Sequence, residues 1–503
     1  MLLKVKSLNL SAGKPIAIIN YKTALKLNIH ASERVRIKKI NKKKRAEFHE
    51  IIAITDIAKR LLHENDISVS SEVFEGLGLK DGEIVQVEPA LRPLSINFIL
   101  KKLNGGTLNY TEIFTIISDI VNNALTEAEI SYFISGMYIH GMTYNETISL
   151  IRAMIKTGRR LKINGSVVDK HSIGGIPGNR TTPIVVSICA AAGLTIPKTS
   201  SRAITSAAGT ADVIETLAKV DFSIEEIKKI VKETNACLVW GGSLGLAPAD
   251  DKIIQVERIL GLDPEAQLIA SILAKKISVG ASHVLLDIPF GKEAKVSREK
   301  GADLAKKFHD LAKIFGIRLK AVLTNGEQPI GKGIGPVLEM RDVLAVLIRD
   351  KKRPLDLEIK SLVLAGEILE LVGKAKKGQG KRLAAYILNS GQALKKFRQI
   401  IEAQGGSLKD LDKKLALAKY KRVIKAEKRG IIKEINNRKI NSIARAAGCP
   451  INKSAGLFLH KKVGDFVKKN DSLVTIFAET KEKLNYAYKL FKRDGAFKIS
   501  EIE

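Results

Sequence analysis

The stretch SVVDKHSIGGIPGNRTTPIVVSICAAAGLTIPKTSSRAITSAAGT, residues 166–210, decides the class of fold. It begins with the short apolar strand SVVDK, passes through the glycine-rich loop HSIGGIPGNR and enters the apolar helix TTPIVVSICAAAGL. A second strand, LTIPKTS, leads through a hydroxyl-rich loop to a predicted helix over Ala211–Leu217. Farther along, the strands HVLLDIPF and RLKAVLT flank a predicted helix over Ser297–Phe315. Strands that alternate with helices predict a parallel sheet of the α/β type.

The glycine-rich loop has the character of an anion-binding site. Glycine lets the backbone approach a ligand closely, and the free N–H groups that open the next helix favour negative charge. The side-chain donors and positive charge around the loop come from Lys170, Ser172, Arg180, Thr181 and Thr182. The loop is not a Walker A loop, because Asn179 stands where the second glycine belongs, and it lacks the G-x-G-x-x-G spacing of dinucleotide sites. On these features alone, a plain strand-to-helix turn remains an alternative.

The second loop, KTSSRAITSAAGT, strengthens the case for a ligand site. Two such loops on neighbouring parallel strands would converge at the carboxyl edge of the sheet, where α/β proteins bind ligands. For Thr210 the alternative is that it only caps the helix that follows it.

The bulk composition bounds the class of protein. A length of 503 residues predicts three or four domains, and 45% hydrophobic with 27% charged residues is typical of globular chains. The sequence has no apolar run long enough to span a membrane and no signal-peptide pattern at its start, so we expect no membrane association and a cytoplasmic location. The three cysteines are dispersed and form neither a metal pattern nor a disulfide framework, which fits a reducing compartment.

The net charge of +31 has two interpretations. It would suit a nucleic-acid or other anionic partner, but it also describes a solvated surface rich in lysine. The lysines are spread over most of the chain, with runs such as 41–45, and 5% aromatic residues leave few platforms for stacking bases. We therefore favour the solvated surface and expect no nucleic-acid partner.

Four regions follow from the local patterns. Residues 1–86 alternate like short strands and carry the turn signal Asp81-Gly82, which predicts a small β-rich barrel. Residues 92–160 have helical periodicity and a capping box at Thr126 and Glu129, and we expect residues 248–280 to join this helical lobe. Residues 161–410 form the predicted α/β phosphate-binding domain, and residues 423–503 return to short strands.

Five motifs in a fixed order resemble the thymidine phosphorylase superfamily: DKHSIGG, GNRTT, KTSSRAITSAAGTAD, WGGSLGLAPADD and ASILAKK. The group that the chain resembles most is that of the archaeal AMP phosphorylases, which carry an additional N-terminal domain. The resemblance runs from about Ser95 to the C-terminus. It implies a multidomain α/β protein: a nucleoside-phosphorylase-like helical lobe, a parallel-sheet α/β lobe, and β-rich domains at both ends, the C-terminal one similar to the hammerhead domain of lipoyl carriers.

The resemblance also implies two groups of binding residues. Phosphate would be held by a lysine and hydroxyl groups, namely Lys170, Ser172, Thr182 and Ser200, with Thr210 beside them and Gly174 leaving backbone room. AMP would be held by Gly175, Ser201, Arg202, Ala203, Ile204, Thr205, Ser206, Thr210, Ser271 and Lys295. Within this set Arg202 is the natural partner of a 5′-phosphate, and a structural salt bridge is its alternative. For Lys295, a surface lysine is the alternative.

Protonation of the leaving base has two candidate residues. The resemblance implies that Asp263 is the proton donor, although Asp263-Pro264 also reads as a helix cap followed by proline at the first helical position. The other candidate acid is His171, because histidine titrates near neutrality.

A departure from the pyrimidine phosphorylases bears on the base. Those enzymes contact the base through residues that match Ser271 and Lys275, which lie four apart on one helix face. They also use an upstream arginine, and Val256 takes that position here, with Arg258 two residues away. This difference disfavours thymidine as the substrate.

The expected activity is phosphorolysis of AMP to adenine and ribose 1,5-bisphosphate, with CMP and UMP as further candidate substrates. We expect a homo-oligomer with no cofactor and no metal: Asp250-Asp251 fits a capped turn after Pro248, and Glu339 with Arg341 resembles a helix-start motif. The alternatives are a thymidine or pyrimidine nucleoside phosphorylase, a phosphoribosyltransferase of related fold, and a basic nucleic-acid-binding or scaffold protein without catalysis.

Overall fold

A computed structural model describes residues 1–40, 50–163, 165–203 and 206–500 of the chain. The basic run at 41–45 and the predicted AMP residues Ile204 and Thr205 lie outside this described part.

The N-terminal region is a closed barrel with the strand order β1-β5-β2-β4-β3-β6. Alternation along the strands places one set of side chains inside, and Val5, Val35 and Val85 are completely buried there. The small β-rich barrel predicted from the sequence is therefore confirmed. Its elements are β1 (Leu2–Ser7), β2 (Ile16–Asn20), α1 (Tyr21–Leu27), β3 (Arg34–Lys39), β4 (Glu50–Ala58), β5 (Asp66–Val69), α2 (Ser71–Gly76) and β6 (Ile84–Pro89).

The helical region follows with α3 (Ser95–Leu103), α4 (Tyr110–Val121), α5 (Glu127–His140) and α6 (Tyr144–Thr157). The predicted capping box of Thr126 and Glu129 opens α5, with the Glu129 N–H donating to the Thr126 hydroxyl at 3.3 Å. The reciprocal bond runs from the Thr126 N–H to the Glu129 carboxylate at 2.7 Å. Equivalent boxes open α4 and α6, so these helix starts are encoded locally.

The α/β region is built on parallel strands, as the alternation of strands and helices predicts. The strands β11, β10 and β7 form one parallel sheet, β8 pairs with β9 in parallel, and a bridge from Val167 to Thr195 links the two sets. The elements are β7 (Val167–Ser172), α7 (Thr181–Ala191), β8 (Ile196–Ser200), α8 (Thr210–Ile214), α9 (Ile224–Thr234), β9 (Ala236–Trp240), α10 (Pro248–Leu260), α11 (Glu265–Ser278), β10 (Ala281–Phe290), α12 (Arg298–Ile314), β11 (Arg318–Asn325), β12 (Gly333–Ile334), α13 (Pro336–Leu347), α14 (Leu355–Leu371), α15 (Gly380–Asn389) and α16 (Gln392–Ala403).

The local sequence determines how two stretches of this region become helical. The pattern from Arg382 to about Gln404 predicts one helix, but Gly391 at φ 78° separates α15 from α16, because a left-handed residue breaks helical geometry. The apolar helix α7 packs against α14 and α16 and is buried from Thr181 to Ala190, as expected for a helix without a polar face. This burial fixes its N-terminal end next to the glycine-rich loop.

The C-terminal region contains a four-stranded antiparallel sheet, β12-β15-β17-β13, and a three-stranded sheet, β16-β14-β18. Its core includes Ala207 and Ile334, which come from the α/β region. The elements are α17 (Leu411–Lys414), β13 (Tyr420–Lys425), β14 (Gly430–Ile435), α18 (Asn437–Ala446), β15 (Gly456–Leu459), β16 (Phe466–Val467), β17 (Ser472–Ala478), α19 (Lys481–Asp494) and β18 (Phe497–Ser500).

The chain divides into two compact units. The first contains Met1–Gly158 together with Ala247–Ser271, and the second contains Arg159–Leu246 and the chain from Ile272 onward. The barrel and α3–α6 thus belong to the first unit, and the parallel sheet and the C-terminal region belong to the second. Within the described ranges, no helix is both long and apolar enough to cross a membrane.

Candidate active site

The glycine-rich loop and the second loop begin at the same edge of the parallel sheet. The strands β7 and β8 run in the same direction and end at Ser172 and Ser200. Each loop then leads into a helix, α7 or α8, in the second unit. Donors from two separate parts of the sequence are therefore available at one sheet edge.

Lys170 is the central cation of the predicted phosphate group. It is 1% exposed, and its Nζ donates to the hydroxyl oxygens of Thr181 at 3.0 Å and Thr182 at 3.4 Å. Burial lowers the pKa of Lys170 to about 8, and the charge of Asp287 opposes that shift. A buried ammonium group therefore stands at the first turn of α7, where helix N–H groups favour an anion.

The glycines of the first loop adopt backbone conformations that other residues rarely reach. Gly174 and Gly175 have φ values of 85° and 93°. A Cβ atom on Gly175 would lie 3.2 Å from Cγ of Lys295, so the structure places this predicted AMP-binding lysine against the loop. Ser172 accepts a hydrogen bond from the Gly174 N–H at 3.4 Å, which tightens the turn.

Ser200 has a buried hydroxyl with no hydrogen-bond partner among the described residues. The side-chain oxygen of Asn179 in the first loop is in the same situation. Buried polar atoms are nearly always paired in native proteins, so an unpaired donor at a sheet edge points to a group that a ligand satisfies.

Asp287 is a fully buried carboxylate that balances the positive charges of Lys170 and Lys360 at this site. Its carboxylate accepts from the Thr324 hydroxyl at 2.6 Å and lies 3.1 Å from the Lys360 ammonium group. Burial opposes its ionisation, but Lys360 and Lys170 outweigh that effect and hold the pKa of Asp287 below its ordinary value. The site therefore keeps an ionised carboxylate between two lysines.

A second buried cluster of charged residues is centred on Asp169 of β7. Asp169 is fully buried and pairs with Lys276 at 2.5 Å and with Lys198 at 3.5 Å. Burial lowers the pKa of Lys276 to about 7, while Asp169 opposes the shift. This cluster carries one more positive than negative charge when both lysines are protonated, which favours an anion at the neighbouring strand ends.

His171 is half-buried at the end of β7. Removal from water lowers the pKa of its imidazole well below the ordinary value, and Lys276, Lys198 and further lysines add to the shift. His171 is consequently a neutral imidazole near pH 7. A neutral ring can donate a hydrogen bond to a leaving base, but it carries no extra proton to give away.

The second loop, residues 198–210, is closed at its base by Asp212. The carboxylate of Asp212 accepts from the backbone N–H groups of Ala203 and Gly209, each at 2.7 Å. The side chain of Ser206 bonds to the Ala208 carbonyl at 2.7 Å, and Ser201 is exposed. The described part of this loop is therefore held from both ends.

The capping alternative for Thr210 is wrong. The helix α8 has Gly209 at its cap position, and the Thr210 hydroxyl instead accepts a hydrogen bond from Nη1 of Arg180 at 2.7 Å. Arg180 is itself buried and pairs with Glu339 at 2.7 Å. Arg180 therefore holds the two loops together, and its charge is already matched by a carboxylate rather than free for phosphate.

Arg202 forms a salt bridge within the protein, as the structural alternative to phosphate binding predicts. Its Nη1 and Nη2 atoms each donate to one carboxylate oxygen of Glu215 at 2.8 Å. Its side chain is still 38% exposed, so the remaining donors of the guanidinium group can face a ligand.

The candidate acid and part of the base group belong to the first unit. Asp263 is exposed and lies two residues before α11, in which the Pro264 carbonyl accepts a hydrogen bond from the Leu268 N–H at 2.9 Å. Ser271 is buried on the same helix, and Lys275 lies one turn farther along it in the second unit. The roles of Asp263, Ser271 and Lys275 stay predictions.

Three family models match successive parts of the chain. Residues 96–158 match the helical bundle domain of a glycosyl transferase family, and residues 164–394 match the a/b domain of such a family. Residues 431–498 match the pyrimidine nucleoside phosphorylase C-terminal domain.

Relatives of nearly equal length share one name. The AMP phosphorylase of Pyrococcus furiosus is 45% identical over 498 residues, which cover 99% of this chain and 97% of that protein. The AMP phosphorylase of Methanocaldococcus jannaschii is 46% identical over 88% of each chain. The AMP phosphorylase of Methanococcus vannielii is 42% identical over 98% of this chain and 96% of that protein. The chain belongs to the AMP phosphorylase family.

Membership of the AMP phosphorylase family confirms the resemblance carried by the five motifs and makes the chain a pentosyltransferase. The fold is also shared with a solved structure, the anthranilate phosphoribosyltransferase of Thermus thermophilus. That protein is 19% identical, has a TM-score of 0.52, and matches 61% of this chain and 99% of its own. The predicted multidomain α/β fold class is therefore confirmed.

In this AMP phosphorylase family member, several charged residues at the site had no role predicted from the sequence, although Asp169 and Lys276 stand within the motifs DKHSIGG and ASILAKK. Asp169 and Asp287 each stand in a strand of otherwise apolar residues, VVDK and VLLDIPF. A lone acid in a buried strand is costly unless it is paired, so this pattern was the signal that could have identified both. Their partners Lys276 and Lys360 carry no comparable signal, because lysine is common throughout this basic chain.

Proposed function

We propose that the protein catalyses the phosphorolysis of AMP to adenine and ribose 1,5-bisphosphate. An oxygen of inorganic phosphate bonds to C1′ of the ribose, the bond from C1′ to the base breaks with its electron pair going to adenine, and the base takes a proton. The observation that carries the proposal is the near full-length likeness to proteins named AMP phosphorylase, such as the one at 45% identity.

The geometry of the second unit supports the phosphate half of the reaction. Lys170, the hydroxyls of Thr182 and Ser200 and the first turn of α7 supply the kind of donors that a dianion needs. Positive charge from Lys170 is held in a buried setting, where electrostatic attraction is stronger than in water. Such a site positions phosphate and stabilises the charge that moves during the reaction.

Nucleotide binding falls to the second loop and to Lys295. Arg202 is the proposed partner of the 5′-phosphate, since a guanidinium group recognises phosphate through paired hydrogen bonds. The loop residues Ser201–Ser206 together with Thr210, Gly175 and Ser271 form the rest of the proposed AMP site. CMP and UMP are further proposed substrates of the same site.

Asp263 is the proposed proton donor to the base. His171 is the less favoured donor because its imidazole is already neutral near pH 7. A hydrogen bond from neutral His171 to the base or to phosphate is still compatible with the proposal.

The decisive experiment is a product analysis. The purified protein is incubated with AMP and phosphate, and adenine and ribose 1,5-bisphosphate are quantified by chromatography, with reactions lacking phosphate as the control. We expect both products in equal amounts and none without phosphate, and Lys170→Met should lose most of the activity. Efficient cleavage of thymidine without adenine release from AMP would refute the proposal.

A pyrimidine nucleoside phosphorylase is the second candidate, favoured by the family match of residues 431–498. It predicts turnover of substrates that lack a 5′-phosphate and little dependence on Arg202. Val256, at the position of the pyrimidine arginine, is buried at 4% exposure and cannot hydrogen-bond a base. Comparing AMP with uridine and thymidine in wild-type protein and in Arg202→Ala separates the two candidates.

We further propose a cytoplasmic homo-oligomer that needs no metal or cofactor and does not bind nucleic acid. Light scattering coupled to gel filtration measures the oligomeric state. Activity should survive dialysis against a chelator, and gel shifts should vanish at physiological salt, since binding driven by phosphate contacts weakens steeply as salt rises.

A further inference from the structure

Arg202 is held by two carboxylates and an aromatic ring. Its two terminal nitrogens meet the two oxygens of Glu215 at 2.8 Å, and Nη1 also lies 3.3 Å from Asp212. Cζ of its guanidinium group lies over the ring of Trp240, 4.9 Å from the ring centroid. A fork-to-fork carboxylate pair fixes the plane of the guanidinium group, and the aromatic ring fixes its height.

Glu215 follows α8 directly and is shared with a second cation. The ammonium group of Lys453, which precedes β15 in the C-terminal region, lies 3.0 Å from one oxygen of Glu215. The hydrogen bonds from Arg202 lower the pKa of Glu215 to about 2, so this carboxylate is ionised throughout the range of an enzyme assay. Glu215 therefore links the second loop to the C-terminal region.

The C-terminal region also holds the far end of the same loop. The side chain of Asn441 on α18 accepts from the Ala207 N–H at 3.0 Å, and Arg445 donates to the Ser206 carbonyl at 3.0 Å. Ala207 is completely buried within the core of that region. The loop is thus anchored at both ends, and Glu215 orients its principal cation.

An arginine that is free to rotate must lose side-chain entropy when it binds a ligand, and this loss weakens binding. An arginine that is already oriented avoids most of that loss, which is the general advantage of preorganisation. We propose that Glu215, supported by Lys453, is a positioning residue that orients Arg202 for the 5′-phosphate of the nucleotide. This inference rests on the proposed function, because it requires a substrate that carries a 5′-phosphate.

The opposite role for Glu215 is competition. A carboxylate that occupies Arg202 could instead have to be displaced by the phosphate dianion. The two roles predict opposite signs: removing the charge of Glu215 weakens AMP binding if the residue positions Arg202, and strengthens it if the residue competes.

The test compares Glu215→Gln with wild type in steady-state kinetics, varying AMP and phosphate separately. We expect the KM for AMP to rise about tenfold, because the charge-assisted pair that orients Arg202 is lost, with the KM for phosphate within about twofold of wild type. Glu64→Gln is the matched control: Glu64 also bridges two lysines, Lys22 at 2.7 Å and Lys26 at 3.1 Å, but lies in the N-terminal barrel. It should leave both constants unchanged.

Trp240 supplies a second readout, since it is the only tryptophan of the chain and stacks on Arg202. Its fluorescence in the free protein should change in Glu215→Gln and not in Glu64→Gln. Lys453→Met changes a lysine side chain that is 41% exposed, and it should raise the KM for AMP by a smaller factor than Glu215→Gln does. If Glu215→Gln does not fold, the KM for AMP of Lys453→Met tests the inference instead.

An unchanged or lowered KM for AMP in Glu215→Gln, or in Lys453→Met if Glu215→Gln does not fold, overturns the inference while leaving the proposed function intact. Absence of AMP turnover in the wild type would instead refute the proposed function itself.

Discussion

Replacing Ser200 with alanine separates a ligand-binding role from a structural one. The hydroxyl of Ser200 is buried without a hydrogen-bond partner among the described residues, at the end of β8. The residue as a whole is only partly buried, so rotation about its first side-chain torsion can turn the hydroxyl toward a ligand. A group that the folded protein leaves unpaired should matter little for stability and much for phosphate.

The magnitudes follow from this geometry. Removing an unpaired buried hydroxyl relieves its desolvation cost, so the free energy of unfolding of Ser200→Ala should stay level or rise by up to about 1 kcal/mol. A hydrogen bond to a charged phosphate oxygen is worth about 1.5–3 kcal/mol. Its loss corresponds to a rise in the KM for phosphate of about 10- to 150-fold.

The assay pairs steady-state kinetics at varied phosphate with thermal and denaturant unfolding. Ser187→Ala is the matched control, because the Ser187 hydroxyl is buried inside α7 and donates to the Pro183 carbonyl at 2.7 Å. That variant should lose about 1 kcal/mol of stability while keeping the KM for phosphate. The two serines should therefore show opposite patterns.

Two results would contradict this reasoning. A KM for phosphate within about twofold of wild type in Ser200→Ala would mean that the hydroxyl does not contact phosphate. A loss of more than about 1 kcal/mol of stability would mean that the folded protein does satisfy the hydroxyl.

Three further predictions concern charge, proton transfer and backbone. Burial lowers the pKa of Lys170 to about 8, so its ammonium group loses its proton above that pH. We therefore expect kcat/KM for phosphate to fall about tenfold per pH unit above pH 8. A pH profile that stays flat to about pH 9.5 would contradict this prediction. Asp263→Asn should lower kcat by about 10²- to 10⁴-fold. His171→Gln should lower kcat by less, because the His171 imidazole is neutral near pH 7. Single-turnover rates measure both effects, and the reverse order would identify His171 as the acid. Gly175→Ala and Gly193→Ala should each cost about 1–2 kcal/mol of unfolding free energy, because both glycines have positive φ, 93° and 80°. Only Gly175→Ala should also lower kcat/KM, and equal kinetic losses in both variants would argue against a role for Gly175 in the site.

Much of the site could be anticipated because its motifs are local. The glycines that need positive φ, the hydroxyls at the start of α7 and the second loop all lie within residues 166–210. The parallel strands that bring the two loops to one sheet edge followed from the alternation of strands and helices. What escaped was the charge balance: the loop pattern offers Arg180 as a cation for phosphate, but Glu339, 159 residues away, neutralises it.

The sequence by itself determined the helix starts, the barrel-forming alternation and the order of the loops, because capping, periodicity and turn chemistry act between residues a few positions apart. The tertiary structure decided which buried charges meet. Asp169 pairs with Lys276 across 107 residues, and Glu215 joins Arg202 to Lys453 from the C-terminal region. Among 84 lysines and arginines, no local pattern marks the few that become buried, because desolvation and pairing arise only once distant segments pack together.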